Sequence, residues 1–269
     1  MTQPIPHTVS PSEKIELSAI PSGPTSESWK KKQARKQIAA NAIEMAELAK
    51  RLYAEDKRSI LLVLQGMDTA GKDGTIRNVM RGMNPTSCQV SSFKRPSEEE
   101  LDHDFLWRVH KVVPRRGNIG IFNRSHYEDV LVVRVHNLVP KNIWSQRYDQ
   151  INQFEKLLHE TGTKIVKCFL HISKETQRAR LQERVNLPEK HWKFNPGDLK
   201  EREKWADYQD AYTAALKNCS TDFAPWHVIP SDKKWYRNLV VSELLLATLR
   251  EMDPQYPASE EDPTGTVVK

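Results

Sequence analysis

The sequence predicts an α/β fold, a central parallel sheet of about five strands with helices on both faces. Two observations carry that reading. Between residues 28 and 252, short apolar runs alternate with longer amphipathic segments, and strands that alternate with helices pair into a parallel sheet buried between helical layers. The apolar run Leu61-Leu62-Val63-Leu64-Gln65 also leads straight into Gly66-Met67-Asp68-Thr69-Ala70-Gly71-Lys72. This Gly-x-x-x-x-Gly-Lys spacing is that of a strand feeding a phosphate loop, whose backbone N–H groups and lysine converge on an anion. The 269 residues allow one large domain or two small ones. No linker or internal repeat divides residues 28–252, so a single domain over 27–252 is expected.

In chain order, residues 1–26 read as a flexible segment, because Pro4, Pro6, Pro11, Pro21 and Pro24 interrupt any helix. Over residues 28–56, Ile38, Ala42, Met45, Ala49 and Leu52 recur at helical spacing among lysines and arginines. A strand follows over 60–65, then the loop, then a helix from near Gly74 to before Pro85. Residues 89–93 form a second strand. Ser97 with Glu98, Glu99 and Glu100 has the composition of a helix N-terminus, leading into helix over 104–112. Residues 119–122 are a third strand. Residues 129–139 have strand propensity in Val130, Val132, Val133 and Val135; helix is preferred because Ser125 suits an N-cap and the strand–loop–helix repeat then continues. Helices over 144–160, 174–185, 201–216 and 233–252 enclose strands over 164–172 and 226–229. The acidic, proline-containing residues 253–269 read as a flexible tail.

Composition narrows the function classes. The formal net charge is +6 and the isoelectric point about 9.1, a balance that favours polyanionic partners. Mean hydropathy is −0.67, and no apolar run reaches bilayer-spanning length, so no membrane association is expected. The polar N-terminus lacks the apolar core of a signal peptide. Cys88, Cys168 and Cys219 show neither zinc nor disulfide spacing. A cytoplasmic protein is expected.

Right-handed crossovers place the C-terminal ends of parallel strands along one edge, where ligands bind. Three segments converge there: the loop, residues 123–129, and the basic stretch 178–200. Phosphoryl transfer needs positioning and compensating positive charge. Lys72 and Arg124 can supply charge, and Asp68 and Glu128 can supply hard oxygen ligands to a metal. Asp73 stands where such loops ordinarily carry the metal-binding Ser or Thr. Lys94 and Arg95 follow a strand at the same edge. The stretch holding Arg178, Arg180, Arg184, Lys190, His191 and Lys193 reads as a helical lid over phosphates, although alone it would read as an exposed charged hairpin. Trp107, Trp144 and Trp192 read as packing residues rather than base platforms, and His126 as structural. Phosphate oxygens are anionic at neutral pH, so a phosphate acceptor needs no general base.

Gly66-Met67-Asp68-Thr69-Ala70-Gly71-Lys72-Asp73-Gly74, together with Gly120-Ile121-Phe122-Asn123-Arg124-Ser125-His126-Tyr127-Glu128, Phe93-Lys94-Arg95-Pro96 and Lys190-His191-Trp192-Lys193, resembles the polyphosphate kinase 2 family. The resemblance spans roughly residues 29–252. It implies a three-layer α/β/α P-loop kinase-like fold similar to thymidylate kinase. It also implies Mg²⁺-dependent transfer, with Mn²⁺ as a substitute, between inorganic polyphosphate and nucleotides. By position, Asp68, Lys72, Arg124 and Glu128 would be catalytic. Gly66, Met67, Thr69, Ala70, Gly71, Asp73, Gly74 and Thr75 would bind phosphate or nucleotide, with Lys94, Arg95, Asn123, Arg134, Arg178, Arg184, Lys190 and Lys193. Asp68 and Glu128 would hold the metal, with Asn123 and Asp129 as further candidates. Much of the family has Asp where this chain has Asn123, and Asn where it has Glu128. That shift resembles the class III subgroup, which phosphorylates nucleoside monophosphates as well as diphosphates.

Two rivals stand beside this reading. One is an ATP-dependent nucleotide or small-molecule kinase of the same fold, against which Asp73 counts. The other is a non-catalytic polyanion- or nucleic-acid-binding protein, for which no recognition motif is present. The reading excludes nucleic acid as a partner. A homodimer or homotetramer is expected, with residues 28–56 or 130–139 as interface.

Overall fold

A computed structural model describes residues 4–11 and 13–259, with positions 264, 266 and 268. The remaining positions of the predicted terminal segments lie outside the described residues. The elements are β1 (His7–Thr8), α1 (Lys31–Glu55), β2 (Ser59–Gln65), α2 (Lys72–Val79), β3 (Cys88–Ser92), α3 (Glu98–Leu101), α4 (Trp107–His110), β4 (Ile119–Asn123), α5 (Val132–Val135), α6 (Lys141–Trp144), α7 (Arg147–Glu160), β5 (Thr163–His171), α8 (Lys174–Asn186), α9 (Gly197–Glu203), α10 (Trp205–Asn218), β6 (Trp226–Pro230) and α11 (Lys234–Met252). The sheet order is β1-β6-β5-β2-β4-β3. The five predicted strands, β2 to β6, pair in parallel. A sixth, β1, adds an antiparallel edge on β6.

Register is what builds the site. β2 lies between β4 and β5, with Leu64 opposite both Asn123 and Cys168. The chain therefore leaves these three strands at one edge, at Gly66, at Arg124 and at Ile172. All seven residues of β2 are buried, as a strand covered on both faces requires. α1 and α11 pack together on one side, and Met45, Ala49 and Leu52 of α1 are buried in the core. α7 and α10 cover the other.

Several local expectations change. Among its described residues the proline-containing N-terminal segment makes no α-helix, yet Val9 and Leu17 are buried, and Val9 N–H donates to Trp226 O at 2.9 Å. Part of the C-terminal tail also docks, with the Tyr256 hydroxyl 3.2 Å from Glu47 and its ring under Lys50 and Arg51. The helix expected over 129–139 shrinks to α5, preceded by a 3-10 turn over His126–Asp129. Asn137 takes a left-handed backbone, φ 50°, and Pro140 follows, so no longer helix forms. Val130, Leu131 and Val135 are buried in the domain's own core, so they do not offer an interface. The expected helix over 144–160 divides into α6 and α7. The expected helix at 201–216 divides into α9 and α10 at Lys204.

Candidate active site

The phosphate loop starts where β2 ends. Gly66 has φ 157° and Gly71 φ 102°. At Gly71 a Cβ would stand 2.0 Å from the Arg237 guanidinium, so close approach as well as backbone angle excludes other residues. α2 begins at Lys72 rather than near Gly74. Its N-terminus, with the positive end of its dipole, therefore opens on the loop. The Lys72 ammonium donates to Gly66 O at 2.8 Å, folding back across the loop it serves. Burial pushes the Lys72 pKa down and Arg124 adds to this, while Asp68, Glu128 and Asp73 oppose it.

Asp73, the residue that departs from an ordinary phosphate loop, accepts a hydrogen bond from Asn123 Nδ2 at 2.7 Å. The pair ties the first turn of α2 to the end of β4. Thr75 is buried and donates to Gly71 O at 3.2 Å.

Arg124 follows β4 with φ 61°. Its guanidinium donates to Asp68 Oδ1 at 3.0 Å and pairs with Glu128 Oε2 at 3.5 Å. Glu128, and after it Asp68, hold the Arg124 pKa above its ordinary range despite burial. One cation and two carboxylates thus meet beside Lys72. Ser125 accepts from the Tyr127 N–H at 3.2 Å and from Gln65 Nε2 at 3.1 Å, which fixes the turn that aims Glu128 back toward the loop.

His126 is structural, as expected. It is buried with its Nε2 3.2 Å from Glu155 Oε1, and burial depresses its pKa despite that partner. Glu155 also receives Tyr127 OH at 2.8 Å and the Lys167 ammonium at 2.6 Å.

A cavity of about 930 Å³ opens from the loop. Thr69, Gly71, Lys72, Asp73, Gly74, Lys94, Arg95, Asn123, Arg124, Arg180, Arg184, Lys190 and Lys193 line it, as do Asp68 and the unpredicted Arg77, Lys234 and Arg237. Gly66, Met67 and Glu128 line a small adjoining recess with Tyr208 and Tyr212. A second large cavity, about 590 Å³, lies around Phe105 and Phe154. It has no phosphate loop, and its Arg147 is already paired with Asp129 at 2.8 Å.

The family model for polyphosphate kinase 2 matches residues 28–257. The chain belongs to the polyphosphate kinase 2 family. It is 51% identical over 255 residues to the AMP/ADP-polyphosphate phosphotransferase of Meiothermus ruber, covering 94% of this chain and 96% of the relative. It is 43% identical over 257 residues to the ADP-polyphosphate phosphotransferase of Rhodopseudomonas palustris, covering 91% and 89%. The crystal structure of polyphosphate kinase 2 from Arthrobacter aurescens TC1 superposes with a TM-score of 0.90 at 42% identity, covering 94% of this chain and 92% of that one.

Within this polyphosphate kinase 2 fold, five candidates line neither the cavity nor the recess: Ala70, Thr75, Asp129, Arg134 and Arg178. Arg178 is exposed on α8 and lines neither lobe, while Arg180, two residues on, reaches the loop. Arg134 lies 4.9 Å over the Trp144 ring and donates to Tyr148 OH at 3.3 Å. Asp129 is held by Arg147. Ala70 is buried beneath the loop. Trp192, read as a packing residue, is 78% exposed beside the basic cavity, because its short 3-10 turn, Pro188–Lys193, has no buried face. The signal for Arg180 was in the sequence. Gln177, Arg180 and Leu181 share one face of α8, and Leu181 is its apolar member.

Proposed function

We propose that this chain is a polyphosphate:nucleotide phosphotransferase. It moves phosphate reversibly between inorganic polyphosphate and nucleotides, forming ATP from ADP and ADP from AMP. The observation that carries the reading is the continuity of a phosphate loop with a large cavity lined by many cations. An inorganic polyphosphate bears charge along its whole length, and the many cations gathered around one cavity, among them Lys94, Arg95, Arg180, Arg184, Lys190 and Lys193, suit that better than they suit a single triphosphate. The Meiothermus ruber relative bears both AMP and ADP in its name.

Lys72 holds the phosphate that moves, and Arg124 places compensating charge on its oxygens. Neither acts as a proton donor or acceptor, and none is needed between two phosphates. The residues suit Mg²⁺, which takes one or two carboxylates and completes its shell with water and substrate phosphate. Asp68 and Glu128 converge on Arg124 and would hold it. Asn123 and Asp129 are engaged with Asp73 and Arg147. Among the described residues no group of three or more acids, histidines or cysteines forms an all-protein metal cage. When bound, the ion adds positive charge to the transferring phosphate.

Among the described residues no helix is long and apolar enough to cross a membrane, and a cytoplasmic setting is part of the proposal. So is a homodimer or homotetramer, with the exposed Ile43 of α1 available to an interface. The function is tested by supplying ADP, Mg²⁺ and polyphosphate as the only donor and measuring ATP by luminescence. ATP is expected, with a loss of at least ~100-fold in Lys72→Ala and in Arg124→Ala. No ATP from the unaltered chain would refute it.

A further inference from the structure

Four side chains from outside the phosphate loop or from its far end cap its carbonyl groups. Lys72 takes Gly66 O at 2.8 Å. Gln177 Nε2 donates to Asp68 O at 3.2 Å. Arg180 Nη1 donates to Thr69 O at 2.8 Å and to Ala70 O at 3.3 Å. Arg237 Nη1 donates to Ala70 O at 2.8 Å. Gln177 and Arg180 are both on α8, and both are buried, at 1% and 9% exposure. Arg180 is braced from behind, where Nη2 donates to Ser231 O at 2.8 Å and Asp232 O at 3.0 Å.

This geometry has a physical purpose. Thr69 sits at φ 68°, a left-handed conformation that is unfavourable for a non-glycine residue and persists only where its surroundings impose it. In a planar trans peptide the C=O and the following N–H point in opposite directions. Holding the carbonyls of Asp68 and Ala70 turns the N–H groups of Thr69 and Gly71 away from α8.

We propose that Gln177 and Arg180 are positioning residues that hold the phosphate loop in its anion-receiving conformation, and that Gln177 links the loop to the lid. The link is direct. The Gln177 amide that donates to Asp68 O accepts, through Oε1, from Arg202 Nη1 at 3.0 Å, and Arg202 belongs to α9 on the lid's far side. Two turns further along α8, Arg184 binds Lys193 O at 3.1 Å and Asp198 Oδ2 at 2.7 Å within the lid itself. A single helix therefore holds the loop at one end and the lid at the other. The inference rests on the phosphate-transfer reading above, but not on which phosphate compound is the donor.

The test uses the full chain with Gln177→Glu, which keeps size and the bond from Arg202 but cannot donate to Asp68 O, and with Arg180→Lys. Three quantities are read: thermal midpoint, affinity for tripolyphosphate by calorimetry, and kcat and KM with polyphosphate and ADP. Gln177→Glu is expected to keep its thermal midpoint and its KM for ADP within about threefold. Its kcat and its tripolyphosphate affinity fall by roughly 10–100-fold, the scale set by a small misplacement of a catalytic group. Gln177→Ala carries the same expectation if the new charge unfolds the chain. Unchanged kcat and tripolyphosphate affinity in Gln177→Glu and Arg180→Lys would overturn the proposal. Tripolyphosphate binding that weakens in these variants, in a chain that transfers nothing to ADP, would support the clamp and refute the function. A wild-type chain that does not bind tripolyphosphate overturns both.

Discussion

Arg124 occupies a left-handed backbone conformation, φ 61°, immediately after β4. For a residue with a Cβ this costs about 1–2 kcal/mol, and the return is geometric. The guanidinium stands between Asp68 and Glu128, where it can meet the transferring phosphate and orient both acids. Glu128 pairs with Arg124 and lines the recess beside the loop. Glu128→Asn is accordingly expected to lower kcat/KM for AMP by roughly tenfold more than for ADP, a difference of about 1.4 kcal/mol between the two acceptors. Initial rates with each acceptor measure it, and equal losses would contradict a role for Glu128 in acceptor choice. Asp68, Lys72, Arg124 and Glu128 were legible in the sequence because each lies within a few residues of a strand end, and strand ends are visible as apolar runs. Arg180 was not separated from Arg178 because that needs the phase of α8. Trp192 was misread because tryptophan composition says nothing of whether its short turn has a buried side.

Two features away from the loop bear on the stability of the fold that carries the site. The first is the buried network joining β5, α7 and the turn after β4. Lys167 donates to Glu155 Oε2 at 2.6 Å, to Tyr127 OH at 3.0 Å and to Cys219 O at 2.6 Å, and both charged groups are fully buried. Removing one partner of a buried pair strands the other and costs about 3–5 kcal/mol. Lys167→Met is expected to lower the thermal midpoint by roughly 6–20 °C. A shift under 2 °C in differential scanning calorimetry would contradict it. The sequence displays a lysine inside an apolar strand but cannot display its partner, because Glu155 belongs to another element.

The second is β1. Its Thr8 hydroxyl bonds His227 Nδ1 at 2.9 Å across the sheet edge. Burial, then Lys167 and Lys164, depress the His227 pKa to about 4. A depressed histidine is neutral in the folded chain but takes up a proton when unfolded. Its stabilising contribution is therefore present above pH 6.5 and is lost as pH falls toward 4. Between pH 7 and pH 5 the loss amounts to about 2 kcal/mol. His227→Gln should remove that part of the pH dependence, measured as the difference in urea midpoints at the two values. An identical slope in wild type and variant would contradict it. β1 itself was hidden in the sequence, because two paired residues between prolines leave no periodicity to read.

At the level of the chain, the α/β alternation, the five parallel strands and the single phosphate-loop edge could all be read beforehand, since buried parallel strands are near-continuous apolar runs. What could not be read was how charge is distributed over the folded surface. A net charge of +6 says only that polyanions are favoured. Folding gathers the cations of six separate segments, from Lys72 to Arg237, around one cavity. That convergence separates a polyphosphate user from an ATP-dependent kinase of the same fold, whose donor is short. The most direct measurement is a ³¹P NMR time course of AMP with Mg²⁺ and long-chain polyphosphate as the only donor. Signal should pass from polyphosphate into the β-phosphate of ADP and then the γ-phosphate of ATP. Polyphosphate left intact, while ATP in its place readily phosphorylates a nucleotide or another small acceptor, would contradict the reading.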